Sequence, residues 1–110
     1  MTQLVIENEA QLWKLIEPRL VGHWRRIEVV YPVGFPDVFG FYEGETHYIE
    51  LKIGRPARKK FRPKQAEFLL NAESHGIPVW SCFGYKGRVL FFKSTRVDAE
   101  VACPFVRGRE

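Results

Sequence analysis

Sulfur is scarce in this chain: its 110 residues include one methionine and two cysteines. Cys82 and Cys103 form no CxxC pair, and none of His23, His47 and His75 stands at metal-ligand spacing, so the sequence patterns of a structural zinc site are excluded. So low a thiol content makes a reducing, cytoplasmic setting the expectation. No apolar run reaches the roughly 20 residues needed to cross a bilayer. Residues 1–7 lack the basic-then-apolar layout of a secretory signal, so no membrane association is expected. Internal repeats are absent. Carboxylates are missing from one place above all. Residues 52–64, KIGRPARKKFRPK, carry seven basic side chains and no acidic one.

The rest of the chain holds ten basic and thirteen acidic residues, so the net charge of +4 originates entirely in that segment. A local basic stripe on an otherwise mildly acidic protein fits contact with a polyanion, and it also fits a solvated loop. Arg55, Arg58, Lys59, Lys60, Arg62 and Lys64 are the candidate phosphate contacts. A hydrophobic fraction of 45% and an aromatic fraction of 15% belong to a packed globular fold. The length suits a single domain with one core, expected over residues 1–93. Residues 94–110 leave a short helix, an arm used in dimerisation and a frayed end all open.

Residues 8–20 place Leu12, Trp13, Leu15, Ile16 and Leu20 near helical spacing, with Asn8 as N-cap and Pro18 ending or bending the helix early. Residues 26–31 (RIEVVY) read as a strand, and residues 32–36 (PVGFP) as a turn or loop. Residues 37–42 and 46–53 are two further strands joined as a hairpin through Glu43-Gly44-Glu45. Pro63 suits the first turn of a helix over residues 63–74 with Gly76 beyond its end. Ala66, Leu69, Leu70 and Ala72 are its expected buried side, with Phe68 near the edge. Residues 78–85 and 88–93 form a second hairpin about Lys86-Gly87. The order predicts an α/β fold, a mixed sheet flanked by helices.

If Glu43 and Gly44 are the two loop residues of the first hairpin, Tyr42 faces Glu45 and Asp37 stands opposite Glu50. Directly opposed residues share a face, and Lys52, two residues on, joins them. A three-residue loop would place Asp37 opposite Leu51 instead, unless a bulge restored the phase. Two adjacent carboxylates repel each other, and a hard cation such as Mg²⁺ removes that penalty using one or two carboxylates plus water. The alternative is a turn aspartate beside a same-face Glu50–Lys52 ion pair. Three neighbours favour the first reading. Charge alternates with bulky apolar residues in Ile49-Glu50-Leu51-Lys52-Ile53, a turn (Gly34-Phe35-Pro36) feeds directly into Asp37, and the basic run starts at Lys52.

Gly34-Phe35-Pro36-Asp37 followed by Ile49-Glu50-Leu51-Lys52 resembles the PD-(D/E)xK nuclease superfamily. Glu50-Leu51-Lys52, the basic loop over residues 54–62, Arg62-Pro63-Lys64-Gln65 and Gly76-Ile77-Pro78-Val79 resemble more narrowly its VRR-NUC group, related to the Holliday junction resolvases. The likeness spans about residues 7–85. It implies an αβββαβ, restriction-endonuclease-like core, dependence on Mg²⁺ or Mn²⁺, and phosphodiester hydrolysis leaving a 5′-phosphate. It also implies a glutamine from the motif helix, which Gln65 matches, and a further acidic residue from the first helix. For that residue Glu9 fits best and Glu7 is the runner-up, while Glu17 beside Pro18 reads as solvated.

The resulting expectation is a metal-dependent DNA endonuclease that resolves branched DNA, Holliday junctions above all, or nicks it, acting as a homodimer because one site cuts one strand. A cytoplasmic protein, bacterial or phage-encoded, fits this reading, as does a nuclear one. A non-catalytic nucleic-acid-binding module on the same scaffold, and a nuclease subunit of a larger recombination, repair or packaging machine, are the alternatives. His47 falls on the face opposite Glu50, which suits a structural role. Trp13, Trp24 and Trp80 read as core or interface residues. Phe61, inside the basic loop, could stack on a base or anchor the loop.

Overall fold

The computed structural model describes residues 6–27 and 34–108. Helix α1 spans Glu9–Ile16, and the Asn8 side chain caps it by accepting from the Gln11 N–H at 2.8 Å. Pro18 has no N–H to continue the helix, and the chain tightens into a single 3-10 turn over Glu17–Arg19. Strand β1 is His23–Arg26, earlier than the apolar pattern of residues 26–31 suggested; residues 28–31 of that expected strand lie outside the described residues. Its sequence, His-Trp-Arg-Arg, hides the strand because it forms the sheet edge, where charged side chains face solvent and no apolar alternation is required.

Strands β2 (Val38–Tyr42) and β3 (Glu45–Ile53) form the hairpin in the two-residue register, with Tyr42 paired to Glu45 and Val38 to Ile49. Glu43 and Gly44 both have positive φ, 50° and 79°, the left-handed pair that a tight hairpin demands. Helix α2 (Pro63–Ser74) then crosses over to β4 (Val79–Tyr85), which lies parallel to β3, and β5 (Arg88–Lys93) returns antiparallel. The sheet order is β1-β2-β3-β4-β5, a mixed five-stranded sheet as expected.

Period-two alternation sorts the strands onto two faces. On one, Val38, Ile49, Leu51, Trp80, Cys82 and Phe91 pack against Leu12, Trp13 and Ile16 of α1. On the other, Val79, Phe83, Leu90 and Phe92 pack against Leu69 and Ala72 of α2, with Ala66 and Phe68 partly buried. Leu70, expected on the buried side, is 45% exposed. It lies about 100° round the helix from Leu69, away from Phe68.

Residues beyond Ser94 form neither a helix nor a free arm within the described part. They fold back as an irregular strap. Val101 N–H bonds the Phe91 carbonyl, Val21 N–H bonds the Phe105 carbonyl, and Arg107 N–H bonds the Arg19 carbonyl. Phe105 is fully buried among Trp24, His47, Trp80 and Tyr42, at ring-centroid distances of 4.5, 5.1, 5.3 and 5.8 Å. His47 accepts from the Trp80 indole N–H at 3.0 Å, in keeping with a structural role. Phe105→Ala is expected to cost roughly 3–5 kcal/mol of folding stability, measured by chemical denaturation; a loss under about 1 kcal/mol would mean the strap is dispensable to the core.

Candidate functional site

The hairpin register brings Asp37 and Glu50 together at the end of the β2–β3 ladder. Asp37 sits one residue before β2. Its backbone carbonyl accepts from the Ile27 N–H at 2.6 Å, and its Oδ2 accepts from the Leu51 N–H at 2.9 Å. The carboxylate therefore ties itself to the partner strand where the ladder stops. The turn before it needs Gly34: φ is 96°, and a Cβ there would lie 2.7 Å from the Lys64 carbonyl oxygen. That approach seats the Asp37 loop directly on the first turn of α2, which carries Gln65.

Glu50, in the middle of the sheet, is only 1% exposed. Lys52, on the same face, places its Nζ 3.4 Å from Glu50 Oε2. Gln65 bridges the two: its Oε1 accepts from Lys52 Nζ at 2.6 Å, and its Nε2 donates to Glu50 Oε2. The structure thus assembles Asp37, Glu50, Lys52 and Gln65 in one connected cluster. Glu9, at the start of α1, lies within electrostatic reach of Asp37, Lys52, Arg26 and Arg62. Glu7 is exposed, and its backbone N–H is engaged by the Gln11 side chain.

All three acids hold their protons more tightly than usual. Burial pushes the Glu50 carboxyl up to about 9, helped by the neighbouring Asp37 charge and opposed by Lys52. Burial also raises Asp37, against the Leu51 N–H, which lowers it. Glu9 is raised by burial and then by Asp37, with Lys52, Arg26 and Arg62 opposing. Burial and the neighbouring carboxyl thus favour a proton on Glu50.

A cation would replace that proton, and the donor set fits one. Glu50 Oε1 is buried without any hydrogen-bond partner, and a second carboxylate stands beside it. Among the described residues no three acidic, histidine or cysteine side chains converge as a ready-made ion cage, so Glu9 does not close one with Asp37 and Glu50 in this arrangement. A two-carboxylate site completed by water and substrate oxygens is the form that suits Mg²⁺.

The basic segment after Lys52 is displayed beside this cluster. Arg55, Arg58, Lys59, Arg62 and Lys64 are exposed, whereas Lys60 turns back to donate to the Ile53 carbonyl at 3.2 Å. Phe61 is buried, edge-on to Phe83 and 5.4 Å from Lys52 Nζ, so it anchors the loop and cannot stack on a base. The sequence reading passed over Ser81. The parallel register sets it next to Glu50, and its Oγ is buried with no partner. A serine within a run of apolar strand residues, three of them aromatic (VWSCFGY), was the available signal. A groove of about 630 Å³ between α1, β5 and the strap is lined by other residues and does not touch the carboxylates.

Because Glu50 binds its proton more tightly folded than unfolded, its contribution to stability is full below about pH 4.5 and is lost as pH rises towards about 9. Glu50→Gln keeps the hydrogen bonds without the ionisation. In chelator its Tm is expected to exceed that of the wild type by roughly 4 °C or more near the upper end of that range and to converge with it at acidic pH. Parallel Tm-against-pH curves for the two proteins would contradict the raised carboxyl.

No known protein-family profile matches the chain, and no curated protein sequence matches it. Among solved structures its fold is similar to that of Hjc, a Holliday junction resolvase from the archaeal hyperthermophile Archaeoglobus fulgidus. The TM-score is 0.54 at 18% sequence identity, covering 77% of this chain and 74% of that one, a likeness of fold.

Proposed function

We propose that the chain is a metal-dependent DNA endonuclease that acts on branched DNA, four-way junctions foremost, or nicks it. The observation that carries this reading is the buried Glu50 with an orphaned oxygen, flanked by Asp37 and by the Lys52 ammonium, at the mouth of a basic loop. A surface ion pair would have no reason to be desolvated, and a binding surface would have no reason to set two carboxylates next to a phosphate. The similarity of fold to an enzyme named as a Holliday junction resolvase supports the junction as substrate.

Asp37 and Glu50 are the groups that would hold Mg²⁺, or Mn²⁺ in its place, with Glu9 as the further acidic residue. When bound, the ion supplies Lewis-acid polarisation of the scissile phosphate. Lys52 offers its ammonium to the charge that develops on the phosphate oxygens and orients the attacking water. Gln65 fixes Lys52 and Glu50 relative to each other, so the ammonium stays aimed at the cleft. Arg55, Arg58, Lys59, Arg62 and Lys64 run along the backbone of the DNA. Paired cuts across a junction require two copies, hence a homodimer.

Cleavage of a labelled four-way junction in Mg²⁺ is expected to fall by at least roughly 10²-fold in Asp37→Ala and in Lys52→Ala, with binding in chelator retained. Cutting at the wild-type rate by either variant would remove these residues from the site. Arg58→Ala and Lys59→Ala are each expected to reduce the slope of log affinity against log salt by about 1. An unchanged slope would take the loop out of the interface.

A further inference from the structure

The face that carries Glu50 continues past the carboxylates, and α2 does not cover all of it. Below the Asp37–Glu50 row, the register sets Arg25, Phe39 and Tyr48 side by side, then His23, Phe41 and Thr46. Residues opposed in a ladder share a face, so this half of the sheet is a strip of aromatic rings edged by an arginine and a histidine. Phe41 is 52% exposed, an unusual state for a phenylalanine, and stands edge-on to Phe39 with centroids 6.0 Å apart. Tyr48, by contrast, is partly sheltered by Phe35 and Phe68. Among the described residues of β1–β3, no carboxylate other than Asp37 and Glu50 faces this half.

We propose that Phe41 and Phe39 form a stacking platform for unpaired DNA bases, with Arg25 taking a flanking phosphate; this rests on the nuclease reading. An exposed ring offers a π-face to a base that has left its stack, and nothing to the phosphate rail of a continuous duplex. Arg25 and His23 suit an anionic partner better than a second copy of the same cationic face. Position decides the rest. Phe41 is four residues from Asp37 along one strand, roughly 13 Å, so a strand held on the rings runs directly to the carboxylates. The substrate is therefore one that presents single-stranded nucleotides beside the scissile bond, as a junction opened at its centre or a flap does.

The test is binding in chelator, by fluorescence anisotropy, of labelled oligothymidylate, continuous duplex and four-way junction to the full chain. Phe41→Ala is expected to weaken oligothymidylate binding by roughly 5- to 150-fold while duplex affinity stays within about twofold. Phe41→Trp is expected to restore it, with tryptophan fluorescence quenched as the bases stack. The far-ultraviolet circular dichroism of Phe41→Ala should match the wild type, since half of the ring is already in solvent. Equal loss for duplex and single strand, or no loss for either, overturns the platform. So does a Phe41→Ala variant that changes from dimer to monomer by sedimentation with its single-strand affinity intact, which would make the face a contact between copies. Cleavage tells the two readings apart. If wild type cuts and Asp37→Ala does not, the nuclease reading stands whatever Phe41 does.

Discussion

The rest of the site depends on the burial of one carboxyl group in the central strand. Strand β3 is paired to β2 and β4, which fixes the Glu50 backbone inside the sheet at a place where the residue is only 1% exposed. Desolvating a charge there costs several kcal/mol unless it is compensated. Lys52 and Gln65 compensate one carboxyl oxygen and leave the other without a partner. The unfinished coordination is what distinguishes this cluster from an ordinary buried ion pair.

Each neighbour of Glu50 is delivered by a different piece of the chain, and each delivery has a local cause. The two-residue turn at Glu43-Gly44 sets the phase that puts Asp37 opposite. The crossover through α2 returns Gln65 to the same face because β4 must run parallel to β3. The basic loop between them is not free. Phe61 pins it beneath the sheet, and Lys60 binds a strand carbonyl, so the remaining cations project outward together.

The trio of Asp37, Glu50 and Lys52 was legible in the sequence because a period of two is rigid: one turn length determines which side chains share a face. Gln65 was singled out through the resemblance alone, and the structure hydrogen-bonds it to Lys52 and Glu50. The helix boundaries followed from Asn8, Pro18, Pro63 and Gly76, residues with strong local conformational preferences. Other features were hidden where structure is set by distant contacts. His23–Arg26 has no strand pattern of its own and acquires one by pairing with β2. Leu70 looked like core from its place among the apolar positions of the helix, but only the rotation of α2 against the sheet decides which leucine is buried. Ser81 owes its place beside Glu50 to a parallel register that no local pattern encodes.

The strap over residues 95–108 has a bearing on how the molecule is made. It joins segments 88 residues apart, where the Arg19 side chain and the Arg107 carbonyl meet, and it supplies the ring at the centre of one core face. Contacts of such long sequence separation form late, since loop closure must precede them. A nascent chain that has not yet synthesised Phe105 therefore carries a complete set of strands around a missing core residue. Until that ring is in place, the sheet that carries the carboxylates has its opposite face unsealed.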